Sequence, residues 1–181
     1  MKKLCGTLLV LLTINSGLAA VRVAGVLFPS EFVYLNGMER DTLSPVSVGD
    51  VIRTKERGSA SLQFPHIIAV IPPDSVVRVE SESLALDTGT ISINMGNEVK
   101  SVSPPELVFD SPRQGTLFIN ARDLRFKPTS TALTEFDVTR SNGLISVKAR
   151  KNSVTMSCGS RTVIIQEGNQ VSRADKADCR R

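Results

Sequence analysis

Ile91-Ser92-Ile93-Asn94-Met95 alternates apolar and polar side chains through five positions, a period of two that turns one face toward a core and the other toward water. Ser61-Leu62-Gln63-Phe64 and Phe136-Asp137-Val138-Thr139 repeat the pattern. Around them, short apolar runs rich in Val and Ile recur, punctuated by Gly, Pro, Asn and Asp, and no long segment carries helical spacing. Ile67 to Ile71 is apolar throughout and reads as a central strand. Asn36-Gly37 and Asn142-Gly143 are residue pairs that accept the positive φ angles of tight hairpins. The fold class predicted is all-β, an antiparallel jelly-roll-like sandwich.

The tail half predicts strands at 135–140, 144–149, 153–157 and 161–166. Turns at Asn142-Gly143, Lys151-Asn152 and Cys158-Gly159 separate them, and the succession reads as a C-terminal β-meander. Between the halves lies 101–114 with Pro104, Pro105 and Pro112, whose missing backbone donors disfavour central-strand pairing. This stretch reads as an interdomain linker or as a long crossover within one sandwich, and the crossover is favoured because roughly 80 residues per half would make two marginal cores.

Upstream, Met1-Lys2-Lys3 gives a positive start, Leu8 to Leu12 is apolar, and Gly17-Leu18-Ala19 offers small residues where a signal peptidase cuts. Residues 1–19 are expected to be a cleaved signal peptide, with the chain acting in the periplasm or outside the cell. The apolar stretch is well short of the roughly twenty residues that span a bilayer. Cys5 precedes it, too early to be the acylated cysteine of a lipoprotein.

Residues 21–100 hold 7 basic and 10 acidic side chains and residues 101–181 hold 13 and 8, so the charge swings from −3 to +5 along the chain. Such a balance describes solvated strand faces and does not predict nucleic-acid binding. Cys158 and Cys179 are the cysteines left after cleavage. An even count in an exported chain is the setting for a disulfide, which would tie the tail to the last hairpin.

From Leu43 the sequence reads L-S-P-V-S-V-G-D-V-I-R-T-K-E-R-G-S-A-S-L-Q-F, then I-A-V-I-P-P-D-S-V-V-R-V, then L-A-L-D-T-G-T-I-S-I-N. Over residues 43–95 this succession resembles the FecR domain. The features shared are a Gly-Asp turn before a strand ending in Thr, a Gly-Ser step into an alternating strand, a Pro-x-Ser turn and a Gly-started strand. Gly143-Leu144-Ile145-Ser146-Val147 with Val163 to Gly168 is similar, more loosely, to the family's closing strands. Each shared residue also has a mechanical reason. Gly49 and Asp50 suit a turn, with Asp bonding backbone donors two residues on; Gly58 and Gly89 permit φ values denied to other residues; Pro72 fixes φ at a strand exit ahead of Ser75.

The resemblance implies a FecR-like β domain over 20–100, with 101–181 packed into the same sandwich, acting outside the cytoplasm as an interaction or signalling module. In the family's best-known members the domain relays a receptor's signal to a cytoplasmic sigma factor across the inner membrane. Here a cleavable-looking signal stands in place of an anti-sigma segment and membrane helix, so a stand-alone exported module is expected. Its partner would be an envelope protein. The alternative is a lipid- or glycan-binding β-roll with Ile67 to Ile71, Val76, Val77 and Ile91 lining a groove.

Catalytic groups are scarce. A Ser-His-Asp triad needs a base, and the single histidine, His66, follows Phe64-Pro65 with no G-x-S-x-G elbow in the chain. Asp41, Asp50, Asp74 and Asp87 sit in turn-like sequences without a calcium-loop pattern. No cofactor, metal or catalytic residue is expected. Seven Phe, one Tyr and no Trp leave few rings on which sugars or unpaired bases could stack.

Overall fold

The computed structural model describes residues 22–96, 108–109 and 117–176. The expected signal peptide, most of the Pro-rich crossover and Cys179 lie outside the described residues.

Where the sequence alternates, the chain is strand, and no helix occurs among the described residues. The first half contains β1 (Arg22–Val23), β2 (Gly25–Pro29), β3 (Val33–Leu35), β4 (Met38–Arg40), β5 (Ser44–Val46), β6 (Val51–Thr54), β7 (Ala60–Phe64), β8 (Ile67–Ile71), β9 (Val76–Val79) and β10 (Ser83–Met95). The second contains β11 (Val108–Phe109), β12 (Phe118–Ala121), β13 (Leu124–Pro128), β14 (Thr134–Ser141), β15 (Leu144–Lys151), β16 (Val154–Cys158), β17 (Arg161–Ile165) and β18 (Gln170–Ala174). β1 and β11 form a small parallel pair of their own.

The long strand β10 organises the rest. Its first part pairs with β9 and, in parallel, with β12; its last part pairs with β8 and β14. The ladder to β9 shifts register between Leu86 and Thr88, and Gly89 follows at φ 87. A bulge raises local twist and bends the strand, so β10 leaves one sheet and enters the other. One sheet therefore runs β5-β2-β7-β8-β10-β14-β15-β18 and the other β4-β3-β6-β9-β10-β12-β13-β16-β17.

Cross-strand rows carry the core through both halves. Leu27, Leu62, Ala69, Ile93, Phe136 and Ala149 are opposed in turn across six strands, each at most 2% exposed. In the facing sheet the row is Val79, Leu84, Ile119, Phe126 and Met156, none above 3% exposed. All these residues belong to one hydrophobic cluster. Burying each large side chain contributes about 1.5–3 kcal/mol, which offsets the ordering of so many short strands.

The hairpin turns follow the sequence. Asn36 and Gly37 lie at φ 54 and 82, and Asn142 and Gly143 at φ 52 and 73. The tail strands fall where expected, but the meander does not run through one sheet. β14 and β15 form a hairpin in one layer, β16 and β17 a hairpin in the other, and β15 has β18 as its second neighbour. The chain changes layers at Asn152, where φ is 58 and the side-chain amide donates to the Leu133 carbonyl at 2.7 Å. The last turn falls on Gly159-Ser160, one residue later than read.

Candidate docking edge

Thr54, Pro72, Ser75 and Gly89, four of the residues singled out in the sequence, meet at one buried polar node. Thr54, at the end of β6, is 2% exposed and Ser75, in the turn before β9, is 0%. The Thr54 hydroxyl donates to the Pro72 carbonyl at 2.6 Å and accepts the Ser75 amide at 3.0 Å. Ser75 Oγ in turn accepts the Thr90 amide at 3.0 Å, just beyond the β10 bend. A Cβ at Gly89 would stand 2.5 Å from Ser75 Cα and 2.6 Å from the Asp74 carbonyl, so that glycine is required by contact as well as by φ. Pro72, Ser75 and Gly89 thus act together to position the strand that joins the two sheets.

Gly49 and Asp50 sit apart, in the turn before β6. Gly49 lies at φ 97 and donates to the Val79 carbonyl. Asp50 bonds backward, not forward as its sequence suggested: its carboxylate accepts the Ser47 amide at 2.8 Å and the Asn36 side-chain amide at 2.7 Å, because the turn folds back over residue 47. Gly58 also has a different reason from the one read. Its φ is not in the left-handed region; that angle belongs to Arg57, at φ 67. A Cβ at Gly58 would instead lie 2.6 Å from the Glu31 carbonyl and 2.7 Å from that of Phe32. Asp87 lies inside β10, where it pairs with Arg78 at 2.7 Å, and not in a turn. Cys158 ends β16, 3% exposed.

The groove expected of a lipid-carrying roll is not formed by the residues assigned to it. Ile67, Ile71, Val77 and Ile91 are at most 3% exposed inside the common core. Val70 alone of its strand is exposed, on the outer face of a strand that is central as expected. His66 occupies the tight turn between β7 and β8 at φ 63, exposed.

The sheet edges are unequal. Among the described residues the two joined sheets end in β4, β5, β17 and β18. β4 is three residues long and carries Glu39 and Arg40. β5 is equally short, with Pro45 at its centre and no amide to offer there. β18 carries Gln170, Ser172 and Arg173, and its Val171 packs against the core. β17 has none of these guards: Arg161-Thr162-Val163-Ile164-Ile165 contains no proline and one charge, at its end. Val163 is 38% and Ile164 57% exposed.

Val163 is also the next member of a buried row. It stands opposite Met156, so the sequence Val79, Leu84, Ile119, Phe126, Met156 reaches the sheet's margin at a half-uncovered valine. Unguarded apolar edges template the pairing of another strand. Beside this hairpin a depression of 420 Å³ is lined by Phe118, Arg125, Lys127, Asp123, Ser157 and Gly159, with the Arg125 guanidinium 4.6 Å above the Phe118 ring. The sequence signal for the edge was the unbroken β-branched run 162–165. Its position at a margin was not readable, because edge or centre is decided by distant pairings.

These features define an all-β sandwich in which, among the described residues, no strand pairs with the outer side of β17. The chain is similar in fold to crystal structures of a candidate anti-sigma factor from Parabacteroides distasonis, at 1.65 and 2.50 Å resolution. Each superimposes with a TM-score of 0.50 at 12% identity, covering 71% of this chain. The match spans 56% of the length of those neighbours. No protein-family model matches the sequence, and no curated protein does.

Proposed function

We propose that the chain is an exported, non-enzymatic signalling or interaction module of the FecR type in the cell envelope, which receives an extended segment of a partner protein as an added strand on β17. The observation that carries this reading is the contrast among the four edges of the described residues, of which β17 alone joins a five-residue length to an apolar, proline-free sequence. Main-chain pairing would give such a complex affinity, and alternate side chains would give it specificity. Similarity in fold to anti-sigma-factor structures supports a regulatory protein partner. The leader-like start supports the periplasm as its place of action.

A photoreactive residue at Thr162, on the outer side of β17, tests the reading in intact cells. It is expected to crosslink to one envelope protein, while the same probe at Met38 on β4 does not. Equal labelling from both edges, or none from Thr162 in a folded protein, would remove β17 as the docking strand.

A further inference from the structure

We propose that a second copy of this chain pairs with β17 in a two-fold antiparallel register centred on Val163, so that the docking edge is closed by self-association until a partner displaces it. The proposal rests on the docking reading above and adds a named competitor for the same edge.

The backbone fixes the register. The two-residue loop Gly159-Ser160 closes on Cys158 and Arg161, the position of a hydrogen-bonded pair in a hairpin of this length. Alternation then directs the main-chain groups of Arg161, Val163 and Ile165 toward β16. Those of Thr162 and Ile164 face the free side.

A symmetric pairing that uses both of these residues sets Thr162 of one copy opposite Ile164 of the other, with roughly four main-chain hydrogen bonds between them. Val163 meets the second copy's Val163 as the closer, non-hydrogen-bonded pair, about 4.5 Å between Cα atoms. That valine occupies the next place in the row Leu84, Ile119, Phe126, Met156, Val163, and so continues the core row across the two-fold axis.

Charge and side-chain pattern agree with this arrangement. Arg161 lies opposite the second copy's Ile165, so no like charges meet, whereas like charges directly opposed destabilise a sheet. On the outer face Ile164, the most exposed apolar side chain of the strand, is covered by the second copy's Thr162. Among the four edges β17 is the most apolar, the equally long β18 carrying Gln170, Ser172 and Arg173. Two-fold pairing of β5 would centre on Pro45, and β4 has only three residues, two of them charged. Joining five-residue strands buries less than the ~1,200 Å² of a stable interface, so the dimer is weak and displaceable, as a gate must be.

Sedimentation equilibrium of the purified protein over a wide concentration range tests the gate. The wild type is expected to rise from monomer toward dimer mass with concentration. Ile164→Pro deletes an amide that faces the free side and leaves the β16 ladder intact, so it should be monomeric throughout with a melting temperature near wild type. Ile164→Lys serves as the second variant, with at least a tenfold weaker dimer constant. A monomeric wild type, or a dimer unmoved by either variant, overturns the proposal. Crosslinking from Thr162 scores the docking reading separately: a monomer that still captures its partner there keeps the docking edge and discards the gate.

Discussion

Thr54 and Ser75 bond each other in both directions: the Thr54 amide donates to the Ser75 carbonyl at 3.0 Å, and the Ser75 amide donates to Thr54 Oγ1 at 3.0 Å. Both residues are buried, and the Pro72 carbonyl and Thr90 amide complete the group. Thr54→Val keeps the shape and removes the hydroxyl, leaving the Ser75 amide and Pro72 carbonyl unsatisfied in the interior. A loss of about 1–3 kcal/mol is expected in urea unfolding, with Thr54→Ser retaining most of the stability. Equal stability of the valine variant would show that the node is not what holds β6, the turn and the β10 bend together.

At Gly58 the obstacle is contact and at Arg57 it is backbone angle. Gly58→Ala should destabilise the protein, since its Cβ would be driven into the Glu31 and Phe32 carbonyls. The cost expected is about 1–3 kcal/mol, in the range of overpacking. Arg57→Gly should be neutral or slightly stabilising, because φ 67 costs glycine little. Thermal melts of the pair separate the two mechanisms; the reverse order of stabilities would return the turn to the φ explanation.

Asp175 anchors the last strand. It receives Arg140 at 3.1 Å and Arg122 at 3.3 Å, and its amide donates to the Gly143 carbonyl at 2.7 Å. Its side chain is 16% exposed and that of Arg140 18%. Asp175→Asn leaves two guanidinium groups facing a neutral amide, and about 1–3 kcal/mol of local stability should be lost. Hydrogen exchange reads this directly: faster exchange at 170–174 than in the β7 and β8 ladders is expected, and uniform protection would refute it.

Cys158→Ser tests the tail staple. If Cys158 and Cys179 are bridged in the exported protein, the native chain shows no reactive thiol from either, and the variant loses roughly 3 kcal/mol in the chain-entropy account of loop closure. Two titratable thiols in the denatured, unreduced wild type would dispose of the bridge.

The sequence by itself determined what period-two patterning and turn chemistry encode. It determined that the described residues are short strands joined by turns without a helix, that 142–143 and 36–37 are hairpin turns, and which faces of β7, β10 and β14 are buried. Those properties arise between neighbours along the chain. It did not determine which strands pair, since pairing depends on residues dozens of positions apart. So the presumed meander was divided between two layers by a bend at Asn152, and the shared role of β10 was invisible. Tertiary structure alone decided that Gly58 is a contact glycine, because the Glu31 and Phe32 carbonyls it touches come from another turn. It alone decided that 161–165 lies at a margin with Val163 half uncovered. An unbroken Thr-Val-Ile-Ile run suits a buried centre and a docking edge equally well, and only the absence, among the described residues, of a strand beyond β17 tells them apart.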